Sequence, residues 1–313
     1  MRSNSSKNSF EKFQKFKTNF NCSCFLLTEP TMSPDPFILL LIALALNVGY
    51  TSEATSDDNY CRKETCPGGK IHIGCDCSSK AKLSYGPQCT GKNPRKITVD
   101  KKMRSLILRK HNSQRNSIAC GQITPYPPAA RMFEVLWDND LEHLAWCNAR
   151  RCVYGHDQCR NTKKYPSAGQ NIASKTACKT VQLEPEDIIV SSIETWFLEH
   201  RNATPAMVER YPGKIRNGPI GHFTVLVNDR VRRIGCSLIV YDARVRAGSK
   251  KTCQTHYLVC NYSSTNFMLE PTYVKSQSPA QNCDGLSKQY SCLCAATAKS
   301  LRRRKHAAND ANE

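Results

Sequence analysis

No apolar run in this chain is long enough to cross a membrane. The longest, residues 37–48, has 12 residues, whereas a spanning helix needs about 20. Its length suits a signal-peptide core, with Ser52 and Ala54 as small residues for cleavage just after Ala54. Catalytic motifs are missing too. There is no Gly-x-Ser-x-Gly elbow, no His-Glu-x-x-His pair and no phosphate loop, so those hydrolase and nucleotide-binding chemistries have no support. Acidic residues are scarce, at 26 Asp and Glu against 45 Lys and Arg, a formal net charge of +19. Residues 1–54 hold five basic and four acidic residues and the tail from Lys299 five and two, which leaves 35 against 20 on the body. Such a surface favours acidic glycans, anionic lipid surfaces or acidic partners, although the same charge also serves solubility alone. The basic residues do not cluster with aromatic platforms, which argues against nucleic acid.

Cysteine is abundant, at 18 residues. Zinc-ribbon spacing is absent: Cys75-Asp76-Cys77 and Cys292-Leu293-Cys294 have one intervening residue where a zinc knuckle wants two to four. The reading is a disulfide framework in an oxidising compartment, hence a secreted, extracellular protein. Residues 1–54 are read as leader and signal peptide, with Met32 an alternative start, and are set aside from the fold. That removes Cys22 and Cys24 and leaves 16 cysteines, an even number that permits complete pairing.

Four segments follow the leader. After the leader, residues 55–97 form a Cys-rich N-terminal segment that cannot bury a core of its own and must be tied down by disulfides. Residues 98–270 form the main domain, 271–298 a Cys-containing extension, and 299–313 a basic tail read as disordered. Met103, Leu106 and Ile107 recur at helical spacing behind Asp100, predicting a helix capped by Asp100 and stopping near Cys120-Gly121. Further helices are predicted over 139–151 and 185–199, and strands over 223–227, 234–241 and 255–261, the second strand ending at a turn over 246–249.

Four sparse motifs occur in order: His111-Asn112-Ser113-Gln114-Arg115, Gly169-Gln170-Asn171-Ile172, Gly221-His222-Phe223-Thr224, and Tyr257-Leu258-Val259-Cys260-Asn261-Tyr262. Together they resemble the CAP superfamily of cysteine-rich secretory, antigen 5 and pathogenesis-related proteins. Asn59-Tyr60-Cys61, Cys66, His72 and Cys75 in front of the domain resemble the insect antigen 5 (venom allergen-like) branch. The resemblance covers roughly residues 59–294 and implies an α+β fold, a three-layer α-β-α sandwich.

The resemblance also implies a cleft of two histidines and two acids. By motif these are His156, Glu199 and His222, with Gln170 where a Glu is usual; insect antigen 5 proteins often carry this Gln. A carboxamide is neither a general base nor a source of negative charge for a cation. His156 and His222 remain candidate Zn²⁺ ligands, with Glu199 as a third, but no cofactor is required. A buried hydrogen-bond network is the plain alternative for the four residues, and His111 is read as structural. By position in antigen 5 the implied disulfides are Cys61–Cys75, Cys66–Cys159, Cys89–Cys152 and Cys236–Cys260, with Cys283–Cys294 added in the extension. Cys77, Cys120, Cys147, Cys178, Cys253 and Cys292 are left unassigned. Of the sequons Asn202-Ala203-Thr204 and Asn261-Tyr262-Ser263, Asn202 is the candidate for glycosylation, because Asn261 sits in a motif strand.

The functional expectation is a monomeric, non-catalytic secreted protein. Its partner would be a lipid or other hydrophobic or anionic small molecule, an acidic glycan, or a cell-surface receptor. The alternative is a divalent-metal hydrolase in which His156 and His222 hold the ion and Glu199 activates water.

Overall fold

The computed structural model describes residues 60–75, 77, 84–178, 183–213, 218–244 and 252–296, all inside one compact unit, Asp57–Glu313. The leader, the signal-peptide run, the tail over 299–313 and the turn over 246–249 lie outside the described residues.

Five strands form one sheet: β1 (Arg95–Ile97), β2 (Leu136–Trp137), β3 (Gly169–Cys178), β4 (Arg233–Arg244) and β5 (Thr252–Tyr262). Their order is β1-β4-β5-β3, with β2 lying parallel beside the start of β4. The β4–β5 and β5–β3 pairs are antiparallel, and alternation along β5 sends side chains to opposite faces. Leu258, Cys260 and Tyr262 join one apolar cluster, while Tyr257 and Val259 join another. Two buried faces demand two covering layers. One is built by α1 (Lys101–Ala119), α3 (Pro185–Leu198) and α5 (Gly221–Leu226), the other by α2 (Asn139–Ala149) and the N-terminal segment. The result is the three-layer α-β-α sandwich. A short helix, α4 (Pro205–Glu209), completes the first layer.

Local chemistry sets the helix limits. The Asp100 carboxylate accepts from Met103 N at 2.8 Å and caps α1. At the other end Gly121 adopts φ +70°, with Gly121 N donating to Ile118 O and Gln122 N to Ser117 O, a Schellman closure. Asp138 caps α2 by accepting from Asp140 N and Leu141 N. Helix α2 then lies so close to the sheet that a Cβ on Gly235 would come within 2.1 Å of Glu142 N. Only glycine fits at that crossing.

Two expectations need correction. The predicted strand over 223–227 is instead helix α5. Its β-branched residues fit a strand, but Thr224 Oγ1 donates to Ile220 O, and a carboxylate described below holds the helix N-terminus. Tertiary contacts override local preference here. Strand β3 was not anticipated, because Gly, Gln, Asn, Ser and Lys are poor strand formers. It forms through ten paired positions against β5.

Covalent and polar ties then fasten the layers. Sulfur bridges join Cys61 to Cys75, Cys66 to Cys159, Cys89 to Cys152, Cys236 to Cys260 and Cys283 to Cys294. Further bridges join Cys77 to Cys147, Cys120 to Cys292, and Cys178 to Cys253. The first three bridges that leave the N-terminal segment, from Cys66, Cys77 and Cys89, end on α2 or the loop after it. The extension is packed rather than appended, with Tyr273, Leu293 and Cys294 buried and Cys294 N donating to Met132 O. Arg115 on α1 is wholly buried and donates to the carbonyls of Phe133, Leu226, Asn228 and Val231.

The Cys120–Cys292 bridge closes 172 residues. Chain-entropy reasoning assigns such a closure about 5 kcal/mol. Replacing both cysteines by Ala should lower the calorimetric melting temperature by on the order of 10 °C. An unchanged midpoint would mean that packing of the extension suffices without the bond.

Candidate functional site

The cleft starts from a turn of chain that only a carboxylate could close. Helix α3 runs into a 3₁₀ turn, Glu199–Asn202, which buries Glu199. Glu199 Oε2 accepts from the backbone N–H groups of His222 at 2.8 Å and Phe223 at 3.2 Å, at the N-terminus of α5. An anion there satisfies orphan helix donors and meets the positive end of the helix dipole. Glu199 Oε1 accepts the Nδ1 proton of His222 at 2.5 Å. Every oxygen of this carboxylate is therefore used inside the protein. The His222 ring stacks on Trp196 at 6.1 Å.

On the other side, Gln170 is the second residue of β3 and pairs with Asn261 of β5. Gly169 before it cannot be replaced, because a Cβ would lie 2.5 Å from Ser264 O. The orientation of the Gln170 amide follows from its neighbours. Its Nε2 donates to Asp157 Oδ2 at 2.7 Å and Asn261 Oδ1 at 3.0 Å. A carboxylate can only accept, so Gln170 Oε1 must face His156 and accept from its Nδ1 at 2.8 Å. Both imidazoles thus have Nδ1–H committed, and their Nε2 atoms have no protein partner among the described residues. Asp157 itself is satisfied by Asn148 Nδ2 and Arg160 Nε as well as by Gln170.

His156, Gln170 and His222 line one open cavity of about 220 Å³, together with Asn171, Val225 and Asn266. Glu199 lies behind His222 and orients it. His156 lies at the cavity mouth, and desolvation by the surrounding protein, with Arg160 and His222 nearby, keeps its pKa below the usual histidine range. Asn202 is exposed, with Nδ2 donating to Pro219 O, whereas Asn261 is fully buried.

A second polar chain was not read from the sequence. His111 Nδ1 donates to Ile107 O, and its Nε2 accepts from the Tyr262 hydroxyl. That hydroxyl accepts from Asn171 Nδ2, which also reaches His222 O at 3.1 Å. His111 ties α1 to β5 and, through Asn171, to α5. Asp157 was also missed as the anchor of Gln170, although it directly follows His156.

Two other groups bring metal-ligating atoms within 4.8 Å: Cys66, His72 and Cys159, and Cys77, His143 and Cys147. In both, the sulfurs are bonded to each other and are not thiolates.

The sequence profile of the CAP (cysteine-rich secretory protein) family matches residues 108–262. Venom allergen-1 of Aedes aegypti is 38% identical over 75% of this chain and 87% of its own length. This chain belongs to the CAP family, in the insect antigen 5 branch. The antigen 5 like allergen Cul n 1 of Culicoides nubeculosus is 34% identical over 58% of this chain and 83% of that protein. The solved structure of BmVAL-1 superposes with a TM-score of 0.50 over 67% of this chain and 98% of that one. At 21% identity this last likeness concerns the fold alone.

Two measurements follow for this CAP protein. Gln170→Glu would set a second carboxylate against Asp157, so one of the two must hold a proton. Melting of the variant at pH 8 should fall well below wild type, and the gap should narrow toward pH 5 as the pair takes up that proton. A constant gap would mean that the two groups do not interact.

Burial lowers the pKa of His111 from 6.5 to about 4, opposed by the Ile107 carbonyl. Between those values the unfolded chain binds a proton that the folded chain refuses, so stability falls as pH falls through this window. The loss should reach roughly 3 kcal/mol near the lower end, and His111→Gln should flatten that part of the stability–pH curve. A curve unchanged by the substitution would place the acid sensitivity elsewhere.

Proposed function

We propose that this chain is a secreted binding protein without catalytic turnover, and that the His156–His222 cleft is its recognition site. Secretion is supported by eight disulfides and by the apolar run over 37–48; among the described residues no helix is long and apolar enough to cross a membrane. The observation that carries the binding reading is the exhausted state of the acids. Hydrolysis of the kind weighed above needs a carboxylate free to take a proton from water. Glu199 is held by three donors and Asp157 by three, and the fourth cleft position is a carboxamide.

The cavity is lined by both imidazoles, each fixed in one tautomer by Gln170 or Glu199, with Nε2 unpartnered among the described residues. Those residues fit a divalent cation such as Zn²⁺ as two nitrogen ligands with supported orientation; Glu199 then supports His222 instead of coordinating. Such an ion would supply a Lewis-acidic contact for an anionic ligand group. Binding requires neutral imidazole and so weakens as pH falls below the histidine range. The basic body favours an anionic or amphipathic partner, with Asn202 the position for an attached glycan.

Native mass spectrometry of the secreted protein, with peptidase and esterase assays, tests this reading. Wild type, His222→Ala and Glu199→Gln should show the same background turnover. Zn²⁺ affinity should drop on His222→Ala, and by about 10- to 100-fold on Glu199→Gln through lost ring orientation. Metal-dependent turnover abolished by both substitutions would overturn the binding reading.

A further inference from the structure

The histidine cleft does not stand alone. A larger cavity of about 430 Å³ opens between the N-terminal segment and the end of α2, walled by Ile71, Ile73, Pro87, Arg150 and Arg151. A third, of about 260 Å³, lies beside Lys70, Arg160 and Pro166. His156 lines the first cavity and the cleft, Gln158 the first and third, and Thr265 the cleft and third. Every pair shares a wall residue, so the three adjoin around the loop that carries residues 156–158.

The charge of this surface is one-sided. Among the described residues its walls include Lys70, Arg150, Arg151 and Arg160 but a single acid, Asp157. Asp157 is buried, with both oxygens held by Arg160, Asn148 and Gln170, and so presents little negative potential. Lys70 is exposed, and neither it nor the Arg151 guanidinium has a hydrogen-bond or ion-pair partner among the described residues. Gln158 spends its Oε1 on Ile71 N, leaving its amide N–H₂ without an acceptor among the described residues where two cavities meet.

We infer that these adjoining cavities form one groove for an extended acidic glycan, a sulfated or uronate-bearing chain, with the histidine cleft as one of its subsites. This rests on the reading that the cleft binds rather than catalyses. A small amphiphile would need an enclosed apolar chamber, whereas the walls here mix a few aliphatic residues with cations, carboxamides and imidazoles. An acidic peptide adding as a strand would need an open sheet edge, and the walls are mainly loops and helix ends. A glycan matches both features, its anionic groups meeting the cations and its hydroxyls the carboxamides and imidazoles.

Size-defined heparin oligosaccharides, from disaccharide to decasaccharide, test this by calorimetric titration against the full disulfide-bonded protein. Affinity should climb with chain length until the groove is spanned and then level off, and it should weaken with added salt. Lys70→Glu and Arg151→Glu should each reduce decasaccharide affinity by about tenfold, and the double variant by more, at unchanged melting temperature. Any of these results would overturn the inference: affinity independent of length, affinity indifferent to both reversals, or tighter binding of a polyglutamate peptide of equal charge. Dodecanoate held at His222 while heparin fails would also overturn it, yet would leave the non-catalytic binding reading standing.

Discussion

One buried guanidinium organises the helical layer that faces the cleft. Arg115 reaches four carbonyls from three separate stretches of chain: Phe133 before β2, Leu226 and Asn228 at the end of α5, and Val231 before β4. No carboxylate bonds to it among the described residues, and burial lowers its pKa to about 9. A charge held this deep costs several kcal/mol to desolvate unless every donor finds an acceptor. The carbonyls that meet this demand cannot stray. They include the C-terminal end of α5, the helix whose N-terminal end carries His222. Arg115 and Glu199 therefore grip the same six-residue helix from its two ends, each with the charge that suits the dipole there.

The cleft is arranged by the same economy of donors and acceptors. Each imidazole is aimed by one acceptor, and each acceptor is held in turn by further hydrogen bonds. Asp157 decides the orientation of Gln170, and Gln170 decides the tautomer of His156. An ionised glutamate at position 170 would break this sequence of constraints, since it could not donate to Asp157. Position 170 is in this sense a consequence of position 157.

Sequence legibility followed the range of the interactions. Helix α1 could be read from Asp100, the apolar spacing and Gly121, all of them local signals. Helices α2 and α3 came from the same kind of pattern. Helix α5 could not, because Glu199, more than twenty residues away, holds its first turn. Strand β3 was hidden since its pairing with β5, rather than its own composition, makes it a strand. Within the cleft, motif resemblance named His156, Gln170, Glu199 and His222 but was silent on roles. Whether Glu199 ligates or orients depends on which oxygen meets which proton, and spacing carries no such information. The basic groove was invisible for a related reason: Lys70 and Arg151 are remote in sequence and become neighbours of one surface only through the bridges that fold the N-terminal segment onto α2.

The placement of two sulfur bridges on β5 extends beyond the native state. Cys178 and Cys253 face each other across β3 and β5, and Cys236 and Cys260 across β4 and β5. Their β5 members, Cys253 and Cys260, lie at an odd sequence offset, so the bonds emerge on opposite faces of the strand. With both intact, β5 cannot slide against either neighbour, even after the helices have melted. The oxidised denatured chain therefore keeps residue 178 beside 253 and residue 236 beside 260. It exposes less new surface on unfolding than its length suggests, with a correspondingly shallower denaturant dependence. Its return begins with the long-range pairings, ordinarily the slowest to find, already made.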